Sequence, residues 1–166
     1  MEPIPNSVTL HSVSVDLTDE SDWSEALRGD GEAFGRIFDR HRARVTRHCR
    51  RLVDVPVDAD DLVSVVFLEA WRHRRSLRFV DGSLLPWLLV TATNSARNLA
   101  RKTRRYREVL EGIPPKIHEG TDPADRHDSD AQEALKRLSI NDQRVISLCI
   151  LEGFSEKDAA QAQASA

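Results

Sequence analysis

The chain has 166 residues, 40% of them hydrophobic and only 5% aromatic, with 24 Lys and Arg against 27 Asp and Glu. That length holds one ordinary domain or two small ones. No apolar run reaches the roughly 18 residues of a membrane span, and the opening MEPIPNSVTLHSVSVDL lacks the basic n-region and apolar h-region of a secretory signal. Cys49 and Cys149 lie far apart with no CxxC, which argues against a disulfide scaffold or zinc ribbon and suits a reducing cytoplasm.

The formal net charge of -3 conceals a strong pattern: residues 1–35 carry -7, residues 36–107 carry +10 and residues 108–166 carry -6. Sixteen of the seventeen bases in the middle block are Arg, the side chain suited to phosphate contacts and to stacking on bases. A basic block between acidic arms is the footprint of a nucleic-acid binder, although a solvated helix surface would also carry many charges.

In chain order, residues 1–20 read as a mobile arm with two prolines, and helical patterning begins near Ser21. Gly29-Asp30-Gly31 is a break, with Asp30 able to cap the next helix. Phe34, Ile37, Phe38, Val45, Cys49 and Leu52 then mark one helical face, while Arg36, Arg40, Arg44, Arg47 and Arg51 fall on others. Pro56 stops this helix and Asp58 is placed to cap a third, from about Ala59 to Arg75, with a broad apolar face of Leu62, Val66, Phe67, Ala70 and Trp71. A loop, RFVDGSLLP, leads into a fourth helix with Pro86 in its first turn. Its apolar side runs from Leu85 to Leu99, leaving Arg97, Arg101, Lys102, Arg104 and Arg105 for solvent or a polyanion.

Residues 111–130, rich in Pro, Gly and Asp, read as an acidic linker. Three short helices follow, at about 130–138, 140–152 and 155–163, with Ser155 and Asp158 forming a near capping box on the last. No strand alternation and no internal repeat is visible. The expected fold is all-α: a four-helix domain over 21–110, the linker, and a helical remnant over 131–166.

His41, His48 and Cys49 lack a fourth ligand at suitable spacing, so no metal site is expected. No nucleophile elbow, P-loop, HExxH or GxGxxG occurs, so neither a cofactor nor intrinsic catalysis is expected.

The stretches AFGRIFDRHRARVTRHCRRLV, DADDLVSVVFLEAWRHR and LLPWLLVTATNSARNLARKTRR, in this order and spacing, resemble region 2 of the sigma-70 family. The likeness is to its compact extracytoplasmic-function (ECF) group of bacterial sigma factors. DPADR and ALKRLSINDQRVISLCILEGFSEKDAAQA resemble the linker and the start of region 4. The resemblance implies transcription initiation in the cytoplasm, with core RNA polymerase (its β′ clamp helices) and promoter DNA as partners. Members of this family are commonly held by an anti-sigma factor, and their acidic linker mimics nucleic acid along a basic channel of the polymerase.

Carried onto this chain, the resemblance puts the polymerase-binding face at Asp61, Leu62, Phe67 and Trp71. Contacts to the −10 strand fall to Arg78 and Phe79 of the loop and to Asn94, Arg97, Asn98, Arg101, Arg104 and Arg105 of the fourth helix. Trp71 and Trp87 lie near apolar helix faces, which fits packing as well as contact. Ser64 and Val65 stand where the family often has a Gln and an acid, implying fewer polar contacts to the clamp. SEKDAAQAQ matches the first helix of region 4's helix-turn-helix, so the turn and recognition helix that read the −35 element are expected to be missing. Leu148, Ile150, Leu151 and Phe154 are then expected to stay partly exposed. Two functional readings follow: a factor that opens −10 DNA, or a polymerase-binding protein unable to select promoters.

Overall fold

The computed structural model describes residues 18–109 and 126–164. Its helices are α1 (Asp19–Leu27), α2 (Gly31–Leu52), α3 (Pro56–Arg72), α4 (Leu85–Val109), α5 (Arg126–Arg137), α6 (Ile140–Val145), a π-helical turn (Ile146–Leu151) and α7 (Glu156–Gln163). The all-α expectation holds: among the described residues the only ladder is an isolated bridge between Val80 and Ser83.

Local chemistry sets most of the boundaries. Asp30 accepts hydrogen bonds from Glu32 N at 2.9 Å and Ala33 N at 3.3 Å, satisfying two of the donors orphaned at the start of α2. Ser155 does the same for α7, accepting from Asp158 N at 3.2 Å. The start of α3 differs from expectation. Pro56 opens the helix instead of ending the one before it, because a first-turn position needs no N–H. Val55 then stands at the cap without a side-chain bond, and Asp58 lies in the first turn. α3 ends at Arg72 instead of Arg75. There the chain turns tightly, with Ser76 N bonded to His73 O at 2.8 Å, and Trp23 Nε1 donates to Arg74 O at 3.0 Å.

α1 begins earlier than the sequence suggested. Thr18 caps it, and Asp19 and Asp22 are buried within the fold, so the arm assigned to 1–20 gives way to helix at Asp19. The rest of that arm lies outside the described residues, as does the linker up to residue 125; α5 starts inside the stretch read as linker.

α1 and α2 form an antiparallel hairpin, and α2, α3 and α4 pack against one another. Ile37, Val45, Val66, Leu84, Leu88 and Leu89 form the centre of the core. α6, the π turn and α7 lie against α4, and α5 leans on α2. Leu148, Ala159 and Ala162 join the same apolar cluster as the first four helices. Leu148 is thus buried, contrary to expectation, because α4 supplies the packing surface, while Phe154 stays partly exposed as expected. Ile150 and Leu151 do remain exposed, at 74% and 41%.

Candidate functional site

The loop between α3 and α4 is built on one carboxylate. Asp81 (φ 50°) and Gly82 (φ 73°) both take left-handed backbone, the geometry of a tight primed turn, and Val80 and Ser83 exchange backbone hydrogen bonds at 3.0 Å. A Cβ on Gly82 would sit 3.4 Å from the Thr18 side chain. The turn delivers Ser83 Oγ (3.3 Å) and Leu84 N (2.7 Å) to Asp19 Oδ2, which also meets His41 Nε2 at 2.5 Å. Arg40 donates to the other oxygen. Burial alone would raise the pKa of Asp19; the hydrogen bonds from His41 and Leu84 N and the neighbouring cations outweigh it and hold it at about 2. Rings complete the support: Trp23 lies 5.7 Å from Phe34, 6.3 Å from Trp71 and 6.4 Å from Phe79.

Much of the basic character of α2 is neutralised within the chain. Arg36 pairs with Asp22 (2.9 Å) and Glu25 (2.7 Å), and Arg40 with Asp19 and with Asp22 (2.7 Å). At the other end, Glu152 turns a carboxylate that is only 2% exposed onto Arg44 at 2.7 Å, with Arg47 and Arg51 at 4.0 and 3.9 Å. Sequence reasoning missed Asp19, Asp22 and Glu152. For the first two a signal existed: acids three apart on α1 face bases four apart on α2 across a three-residue break.

The residues expected to bind polymerase divide by burial. Leu62 and Phe67, each 4% exposed, belong to the core, whereas Asp61 is exposed and Trp71 is 37% exposed. The outward face of α3 is instead a ridge of Val57, Asp61, Val65, Leu68 and Arg72, with Val65 at 42% and Leu68 at 48% exposure. Beside it runs a groove of about 640 Å³ between α3 and α4, lined by Asp61, Leu62, Trp87, Asn94, Asn98 and Lys102 among others.

The residues expected to touch DNA do not share one face. Asn94, Asn98 and Lys102 recur every four residues and face the α3 groove. Arg97, Arg101 and Arg104 line a cleft of about 470 Å³ on the opposite flank, with Asp54, Lys136 and Gln143. Arg78 and Arg105 are exposed, and Phe79 is half-buried against Trp23. The C-terminal helices engage several of these groups: Arg144 Nε donates to Asn94 Oδ1 at 3.1 Å, Arg97 Nη1 reaches Leu138 O at 3.5 Å, and Gln161 Nε2 donates to Phe79 O at 3.4 Å.

Among the described residues no group of three or more His, Cys, Asp or Glu is placed to hold a metal ion, and no described helix is long and apolar enough to cross a membrane. Cys49 is buried, and that burial pushes its thiol up to about 12.

A four-helix body with an apolar ridge beside an amide-lined groove, and a basic helix leading away from it, has clear relatives. Residues 37–106 match the Sigma-70 region 2 family. The chain is 30% identical over 133 residues to the RNA polymerase sigma factor CarQ of Myxococcus xanthus, covering 76% of this chain and 74% of that protein. It is 29% identical over 154 residues to the RNA polymerase sigma factor NccH of Alcaligenes xylosoxydans xylosoxydans, covering 87% and 82%. To the ECF RNA polymerase sigma factor BldN of Streptomyces coelicolor it is 27% identical over 142 residues, 82% of this chain but only 54% of that protein's length. The fold is similar to that of CnrH, solved in complex with the cytosolic domain of CnrY, with a TM-score of 0.62 at 23% identity over 89% of this chain and 84% of that one. The chain belongs to the ECF group of the sigma-70 family of RNA polymerase sigma factors.

Proposed function

We propose that this sigma factor binds core RNA polymerase through the α3 ridge and recognises and melts the promoter −10 element with the 78–86 loop and α4. The observation that carries this reading is the ridge itself. Val65 and Leu68 are about half exposed on a helix whose opposite side is fully packed, directly beside the groove holding Asn94 and Asn98. Large apolar side chains left uncovered next to polar groups mark an interaction surface. Extruding a base costs a few kcal/mol, which contacts to the freed strand must offset. Arg78, Arg101 and Arg105 supply exposed cations for that strand, and Asn98 an amide. The chain contributes binding and positioning, with no catalysis of its own, in the cytoplasmic compartment where polymerase works. The CnrH complex supports a regulatory protein partner of anti-sigma kind.

The test is to mix the purified chain with core polymerase and measure complex formation by gel filtration and strand opening by permanganate reactivity at the −10 thymines. Complex and opening are expected. The V65D/L68D pair should weaken the complex at least about tenfold with the fold retained. Failure of the unaltered chain to bind core, or full binding by the variant, would overturn the ridge assignment.

A second reading, a polymerase-binding protein silent at promoters, is favoured by one observation. Arg144 on Asn94 and Leu138 O on Arg97 place the C-terminal helices against the helix that would meet DNA. Complex formation without permanganate reactivity would select it.

A further inference from the structure

Seven arginines project from α2, and the chain leaves two of them, Arg42 and Arg50, without a hydrogen-bond or ion-pair partner among the described residues. Both are exposed and both line a groove of about 1080 Å³ between α2, the start of α3 and the C-terminal helices, together with Arg47 and Arg51. The facing wall is apolar, formed by Leu135, Ile146 and Leu151, with Phe38 at the α2 side. Asp60 is the one acid on the lining.

We propose that this groove is a second nucleic-acid site, separate from the α3–α4 face, which takes the phosphates of a single strand on Arg42, Arg47, Arg50 and Arg51. Three observations converge on it. The first is spacing. From Arg42 to Arg50 is eight residues, a row of about 12 Å at the helical rise. A single strand carries one charge at every nucleotide, so a row of cations of this length can pair with successive phosphates.

The second is the anion already present at the edge of the row. Glu152 bonds Arg44 through one oxygen only; its Oε1 and Arg51 Nη1 are both buried without a hydrogen bond, 3.9 Å apart. These arginines therefore already converge on an anion at the edge of the groove, and Arg42, Arg47 and Arg50 beside them stay exposed to take further ones. The third is the lining: an apolar wall opposite the arginines gives bases a surface to lie on while the backbone tracks the cations.

The experiment uses the full chain and a fluorescein-labelled 12-nucleotide single strand of mixed sequence without a −10 element. Binding is followed by anisotropy from 50 to 200 mM salt. R42Q/R50Q is expected to weaken binding roughly tenfold at 50 mM salt and to flatten the log–log salt slope by about 1.4, two contacts at about 0.7 each. Both side chains are exposed and unpaired, so an unchanged thermal melt confirms that the fold is intact. R101Q/R105Q, altered on α4, separates the two faces: its losses should add to those of R42Q/R50Q. Unchanged affinity and slope in R42Q/R50Q would overturn the proposal. So would competition by poly-glutamate of matched charge as strong as that by unlabelled strand, which would make the groove a site for acidic protein.

Discussion

Two imidazoles interrupt the apolar stripe of α2, and each is accommodated differently. His41 meets the Asp19 carboxylate. His48 is wholly buried, with Nε2 3.0 Å from Thr93 Oγ1. Thr93 already donates its hydroxyl to Leu89 O at 3.0 Å, so His48 must be the donor to Thr93, and Nδ1 is left without a hydrogen bond. Burial, with the nearby Arg51 charge, lowers the pKa of His48 from 6.5 to about 4. Between those values the unfolded chain binds a proton that the native state refuses. Stability therefore falls as pH drops from about 6.5 to about 4, by on the order of 3 kcal/mol. Urea titrations at pH 7 and pH 4.5 should show the loss, and His48→Gln, less stable at pH 7, should remove that pH dependence. Asp19 adds a later acid step: its pKa lies below the ordinary 3.8, so its contribution is lost as pH falls from about 4 toward 2. Asp19→Asn is expected to cost about 3 kcal/mol in urea denaturation, because Arg40 and the Leu84 N–H lose a buried charged acceptor.

At the scale of elements, what the sequence made legible is what neighbouring residues decide. Asp30, Ser155 and Pro86 act within one helical turn, and each sits where local capping rules put it. The division of α4 into an amide flank and an arginine flank follows from a step of four residues. Leu62 and Phe67, by contrast, share the face that packs, and periodicity alone does not distinguish residues that form a contact surface from those beneath it. The contact of Asp19 with Leu84 N and that of Glu152 with Arg44 span 65 and 108 residues, beyond any local pattern. The 78–86 loop depends on its turn, so Gly82→Ala should cost about 1–2 kcal/mol through the left-handed backbone and the close Thr18 side chain, readable as a lowered Tm. Glu152→Gln should loosen α6 to α7 selectively. Hydrogen exchange over residues 140–163 is expected to rise about tenfold or more, with α2 to α4 little changed.

For the whole molecule, the acidic stretches at either end are structural counter-charges as well as solvated surface. Asp19, Asp22 and Glu25 neutralise one end of α2 and Glu152 the other, so the basic block is most open on the loop, the far half of α4 and the Arg42–Arg50 groove. The apolar cluster runs from Trp23 to Ala162 without a seam. All three tryptophans, Trp23, Trp71 and Trp87, lie in the first four structural segments, whereas far-ultraviolet circular dichroism reports every helix. The two signals should therefore share one midpoint in urea. A separate earlier loss of helix signal would show the C-terminal helices folding independently.

The long reach of the Glu152 contact also has a consequence in time. Arg36 and Arg40 follow their acidic partners out of the ribosome, but Arg44 precedes Glu152 by 108 residues. At about 5–20 residues per second, synthesis leaves that interval at roughly 5 to 20 s. Throughout it the nascent chain displays Arg44, Arg47 and Arg51 uncompensated, among the polyanions of the translation machinery, before its own carboxylate arrives.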